Sequence, residues 1–111
     1  MSEDYHPMFT VTFRLLSAED GGRHTPIFNG YRPQWNIIRD DGTHGHHDAM
    51  FQSIAKDPIL PGEETEAEIE PFFPHFWTAV RPGMTIGVFE GGNQVGVAEV
   101  LTVPGDLHER T

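Results

Sequence analysis

Four short segments concentrate the side chains that could do chemistry. In DGTHGHHDAM, His44, His46, His47 and Asp48 stand almost side by side. Imidazole suits zinc and nickel, so this is a candidate metal set, with His75 of FFPHFW as a distant further ligand. A zinc centre draws its ligands from separated elements that fix its geometry. These histidines fall in one expected hairpin loop, so a solvated loop is the favoured reading and no metal or other cofactor is expected. The second segment is GGRHTPIFNGYRPQWNI, residues 21–37, where Arg23, His24 and Arg32 sit among glycines and prolines. Either the turn residues merely set the path, or the segment presents Arg23 and His24 to a negatively charged partner.

The third segment, EETEAEIE, alternates strictly. Glu64, Glu66, Glu68 and Glu70 fall on one side of an extended chain, and Thr65, Ala67 and Ile69 on the other. A general acid and base need carboxylates in different environments, and four like neighbours offer no such split. A solvated strand face that resists unwanted pairing is favoured; a contact surface for a basic protein is the functional alternative. The fourth, PFFPHFWTAVRPG, could stack nucleic-acid bases on Phe72, Phe73, Phe76 and Trp77 as single-strand binders do. It adjoins the glutamates rather than a positive groove, so core filling or packing under a loop is expected of these rings.

Several chemistries are excluded. A phosphate-cradling loop needs Gly-x-x-x-x-Gly-Lys-Ser/Thr, and the only lysine, Lys56, lies in IAKDP. No nucleotide is expected to bind this chain alone. There is no cysteine for a disulfide, thiolate site or nucleophile, and Ser2, Ser17 and Ser53 sit in no nucleophile elbow. The expectation is a protein that is not an enzyme.

The elements that position these segments read as strands. In FTVTFRLL, Phe9, Val11, Phe13 and Leu15 share a face. Residues 34–40 form a second strand ending at the DDG turn, and 47–55, HDAMFQSIA, a weaker third. Residues 63–70, 84–90 and 94–103 complete the set, separated by turn residues. Six strands without helical periodicity predict a single all-β domain, a barrel or sandwich. Its extent is 9–104, with an N-terminal tail at 1–8 and a C-terminal tail at 105–111. With 111 residues, 37% hydrophobic, eight Phe and two Trp, one aromatic-rich core is affordable without staples. Seven basic against 17 acidic residues give a net charge of −10, which repels nucleic acid and anionic lipid at long range and favours basic partners. The start, MSEDYHPMF, has no apolar leader, and no run approaches the ~20 apolar residues of a membrane span. A cytoplasmic chain that meets no membrane is expected.

Taken together, LLSAEDGGRHTPIFNGYRPQWNIIRD and FEGGNQVGVAEVLTV resemble the C-terminal domain (domain 3) of translation elongation factor Tu. That family carries Gly-Gly-Arg-His-Thr-Pro, then Gly-Tyr-Arg-Pro-Gln-aromatic, then Glu-Gly-Gly before the last strand. Residues 21–26, 30–34 and 90–92 match, as do Val95 and Gly96, and PILPGEE is similar to the turn before the fourth strand. The resemblance spans about residues 9 to 103 with a diverged middle. It implies a six-stranded antiparallel β-barrel that grips the T-stem backbone of aminoacyl-tRNA during protein biosynthesis. Carried over by position, Arg23, His24, Gln34, Glu90 and Gly91 would lie on or near the RNA-binding surface. Phe89 and Asn93 replace two arginines flanking the family's Glu-Gly-Gly, so weak tRNA binding is implied. No GTPase domain is expected in this chain. The expected function is a translation-related binding module contacting tRNA or a translation-associated protein; the alternative is a protein–protein interaction or assembly domain that has lost RNA binding.

Overall fold

The computed structural model describes residues 7–105 and 107. Six strands form: β1 Phe9–Leu15, β2 Gln34–Ile38, β3 His44–Ile54, β4 Glu64–Pro71, β5 Thr85–Glu90 and β6 Asn93–Thr102. They close into an antiparallel barrel in the order β1-β4-β3-β2-β5-β6, with β6 returning to β1. The expected all-β, six-stranded antiparallel barrel is therefore the observed one. Among the described residues, closure leaves no unpaired sheet edge, which removes the edge groups that invite aggregation.

Period-two alternation builds the wall. On β1, Phe9, Val11, Phe13 and Leu15 are fully buried, while Thr10, Thr12 and Arg14 face out. On β4, Ala67, Ile69 and Pro71 face in and Glu64, Glu66 and Glu68 face solvent. The interior is largely aromatic. Phe9 packs on Trp77 at 5.3 Å between centroids, Trp77 on Trp35 at 6.2 Å, and Trp35 on Phe51 at 5.5 Å. Phe51 meets Phe13 edge-on at 4.9 Å and stacks on Tyr31 at 5.9 Å. Each such ring removed from water contributes about 1.5–3 kcal/mol. Trp35 also donates its Nε1–H to the Ala49 carbonyl at 3.1 Å, so its polar atom is not left orphaned in the core.

Gly96 shows why the wall tolerates no side chain at that position. A Cβ there would sit 2.4 Å from Cε1 of Phe13 and 2.9 Å from the Arg14 carbonyl oxygen. The Phe13 ring lies directly against the β6 backbone.

One strand begins earlier than expected. The sequence predicts a third strand at 47–55, whereas β3 starts at His44. The chain reverses tightly after β2: Gly42 donates to the Arg39 carbonyl at 2.9 Å, Arg39 to that of Thr43 at 2.8 Å, and Thr43 to Asp41 Oδ1 at 3.0 Å. Ile38 is thereby paired with His44. Positions 45 and 47, on the same side as buried Ala49 and Phe51, hold Gly and His, so no apolar alternation announces the strand.

Most of the two expected tails, 1–6, 106 and 108–111, lies outside the described residues. Core packing nonetheless extends past 104, because Leu107 is 1% exposed and joins the central cluster. Among the described residues, no helix is long and apolar enough to cross a membrane.

Candidate binding corner

β2 and β5 are antiparallel neighbours, with Gln34 opposite Phe89. This pairing sets the start of β2 beside the end of β5. The 21–33 segment, which leads into β2, is thus carried against the β5–β6 turn. Two contacts fasten the join. The Arg23 guanidinium forms an ion pair with the Glu90 carboxylate, and Asn93 Nδ2 donates to the Gly21 carbonyl at 3.4 Å. Arg23 also donates to Thr25 Oγ1 at 2.8 Å and lies 5.1 Å from the Tyr31 ring centroid.

Tyr31 sits within this corner, and its hydroxyl is buried. Burial, reinforced by the neighbouring Glu90 carboxylate and only partly opposed by Arg23, pushes the phenol well above the usual tyrosine range. Gly21 adopts φ +89 in ending the short 3-10 turn Ala18–Asp20. Gly22 packs so close to Leu16 that a Cβ would lie 2.5 Å from its carbonyl oxygen.

Beside the clasp is an open hollow of about 380 Å³ lined by Tyr31, Arg32, Gln34, Asp48, Glu90 and Gly91, among others. A second hollow of about 520 Å³, with Arg23, Thr25, Phe28 and Tyr31 in its lining, shares Tyr31 with the first. Of the five residues carried over by resemblance, Gln34, Glu90 and Gly91 meet in the first hollow and Arg23 is tied to it through Glu90. His24 is exposed on the 21–33 segment and lines neither hollow. Arg23, which one of the two sequence readings presents to a negative partner, is engaged with Glu90 and Thr25 within the molecule, and its side chain is 24% exposed. Phe89 and Asn93 have structural work: Phe89 stacks on His46 at 4.6 Å, and Asn93 makes the contact to Gly21.

The histidine cluster is not a solvated loop. His44, His46 and His47 lie on β3, paired with β2, and alternation sends His47 to the opposite side from the other two. His47 Nε2 accepts from Arg39 Nε at 3.0 Å, and its ring stacks on Phe76 at 4.4 Å. Burial, then the charge of Arg39, lowers its pKa below the usual histidine range. Among the described residues, no three His, Cys, Asp or Glu side chains group together in a way that could hold a metal ion.

The glutamate face stands as expected, with Glu64, Glu66 and Glu68 exposed; Glu70 is half-buried and accepts from Gln52 Nε2. The aromatic segment departs from expectation. Trp77 alone fills the core, whereas Phe72, Phe73 and Phe76 are 38%, 56% and 36% exposed. Parity was the available signal: inward Ile69 and Pro71 put residue 72 outward. No protein-family model matches the chain.

Proposed function

We propose that the chain is a non-catalytic, translation-related binding module of the elongation factor Tu C-terminal domain type, which takes the sugar–phosphate backbone of a T-stem-like RNA at the Gln34–Glu90–Gly91 corner. The observation that carries this reading is the meeting of the two resembling motifs. Segments 21–34 and 90–93 are far apart in sequence, yet barrel closure brings them together around one open hollow. The hollow's chemistry suits the ligand. The Gln34 amide both donates and accepts, Glu90 accepts, and a ribose 2′-hydroxyl can do both. Arg32 supplies a guanidinium for phosphate.

The test is fluorescence anisotropy of a labelled T-stem RNA hairpin against its DNA counterpart, at about 20 mM salt where phosphate attraction is strongest. RNA should bind at least about fivefold more tightly than DNA, and Gln34→Ala should remove that preference, since the 2′-hydroxyl is what distinguishes the two. Absence of RNA binding, or equal binding of both hairpins, overturns the reading.

A further inference from the structure

Phe72 is presented to solvent by the strand register, and Phe73 and Phe76 by the turn that follows it. Outward positions on β4 run Glu64, Glu66, Glu68, Glu70, and the same parity continues to Phe72, just beyond Pro71. The chain then turns through the 3-10 segment Pro74–Trp77. Trp77 anchors that turn, fully buried against Phe9 and Trp35. Phe76 donates its N–H to the Phe73 carbonyl at 3.1 Å, and its ring rests on His47. Exposed rings held this firmly cost little ordering entropy on binding, which is the property of interface anchor residues.

The charge around them selects the occupant. A second copy of a chain with net charge −10 would meet like charge. The row leading into the patch is acidic and weakly compensated: Arg14 stands opposite Glu64, but Glu66 and Glu68 face Thr12 and Thr10 on β1. Thr12 is flanked on its other side by exposed Glu99. The patch also displays the contact a cation would make, because the Arg32 guanidinium lies 4.5 Å from the Phe72 ring centroid. Phe73, 56% exposed, offers a further ring of the same kind.

We infer that this surface docks an extended, arginine-rich segment of a basic protein. A guanidinium plane stacks on Phe73, beside the Phe76 ring that His47 and His75 hold in place, and following arginines run along Glu68 and Glu66. Glu66 to Phe72 spans about 20 Å at the rise of a strand, the length of about six extended residues. The two surfaces adjoin at Arg32, which lines the Gln34–Glu90 hollow and lies over Phe72, but Phe73, Phe76, Glu66 and Glu68 are outside the hollow, and the inference does not depend on RNA binding there.

A labelled peptide of about twelve residues alternating arginine and alanine, and its lysine counterpart of equal charge, give the test by anisotropy. The arginine peptide should bind about fivefold more tightly than the lysine peptide, since a planar guanidinium stacks where an ammonium does not. Phe73→Ser with Phe76→Ser should weaken it at least about tenfold, a change of one decade in Kd. Glu66→Gln with Glu68→Gln, on an exposed face where folding is insensitive, should weaken it and flatten its salt dependence. Gln34→Ala should leave peptide binding unchanged. Equal binding of the two peptides, or indifference to both pairs of substitutions, overturns the inference. So does binding of an oligouridine that is lost in the phenylalanine variant, which would make the patch a nucleic-acid stacking platform.

Discussion

Replacing Arg23 with alanine should loosen the corner by a predictable amount. The Arg23–Glu90 pair is partly exposed, at 24% and 38% for the two side chains, so solvent screening holds it to about 1 kcal/mol. The 2.8 Å bond to Thr25 Oγ1 contributes about 1 kcal/mol, and the position over Tyr31 about 0.5 kcal/mol. The longer bonds to the Thr25 and Pro26 carbonyls, at 3.3 and 3.4 Å, add little. The sum, about 2.5 kcal/mol, lowers Tm by about 10 °C for a domain of this size. Glu90→Gln removes only the ion pair, so it should cost about 1 kcal/mol. A double-mutant cycle by urea unfolding at low salt should return a coupling near that same 1 kcal/mol, shrinking as salt is added. If the coupling falls below about 0.3 kcal/mol, the two substitutions are independent and the clasp does not join the segments. Had Arg23 been held out for a ligand's phosphate alone, Arg23→Ala would leave Tm unmoved.

Three further substitutions probe other parts of the molecule. Gly96→Ala drives a methyl to 2.4 Å from Phe13 Cε1 and should cost about 2–3 kcal/mol in urea unfolding by overpacking; an unchanged midpoint would mean the ring does not lie on the strand. His47 has a folded pKa below its unfolded value, so its contribution is full above about pH 6.5 and is lost as pH falls from there toward the folded pKa. Tm should therefore drop between about pH 7.5 and 5.5, and drop less in His47→Gln; equal slopes would refute the burial of His47 beside Arg39 as the cause. Tyr31, with its pKa raised, keeps its stabilising share below about pH 10 and loses it as pH climbs beyond the unfolded value. Ultraviolet titration of wild type against Tyr31→Phe should show this phenol ionising late, and a normal titration would place its hydroxyl in solvent.

The strands were legible wherever one face is apolar. β1 declares itself through Phe9, Val11, Phe13 and Leu15, and β4 through the contrast of Ala67 and Ile69 with the glutamates. The first turn of β3 was not legible, because its inward positions are Gly45, lying under the Arg39 guanidinium, and His47. Polar contacts, not apolar alternation, order that end of the barrel, and sequence periodicity is blind to them. The aromatic segment failed differently. Composition says that four large rings are close together; the parity running from Ile69 sends Phe72 outward, but the 3-10 turn that follows breaks that parity and leaves Phe73 and Phe76 exposed. The binding corner lay between these cases. Its residues were readable from the resemblance, while the engagement of Arg23 with Glu90 required knowing that β2 and β5 are neighbours.

That engagement bears on how RNA would be held, and salt dependence exposes it. Among the described cations, Arg23 is committed to Glu90, Lys56 to Glu63, and Arg39 to His47 and Thr43. Arg81 donates to the Thr78 carbonyl at 2.7 Å, and Arg14 stands opposite Glu64 on the outer wall. Arg32 is the cation lining the Gln34–Glu90 hollow. Each phosphate neutralised contributes about −0.9 to the slope of log K against log salt. One arginine therefore predicts a slope near −1 for the T-stem hairpin, measured by anisotropy between about 20 and 200 mM salt. Arg32→Ala should flatten it toward zero, while Gln34→Ala should weaken binding without changing it, because an amide bonded to a ribose hydroxyl releases no counterion. A slope steeper than about −3 would require several phosphate contacts, more cations than this corner presents, and would place the RNA on another face of the barrel.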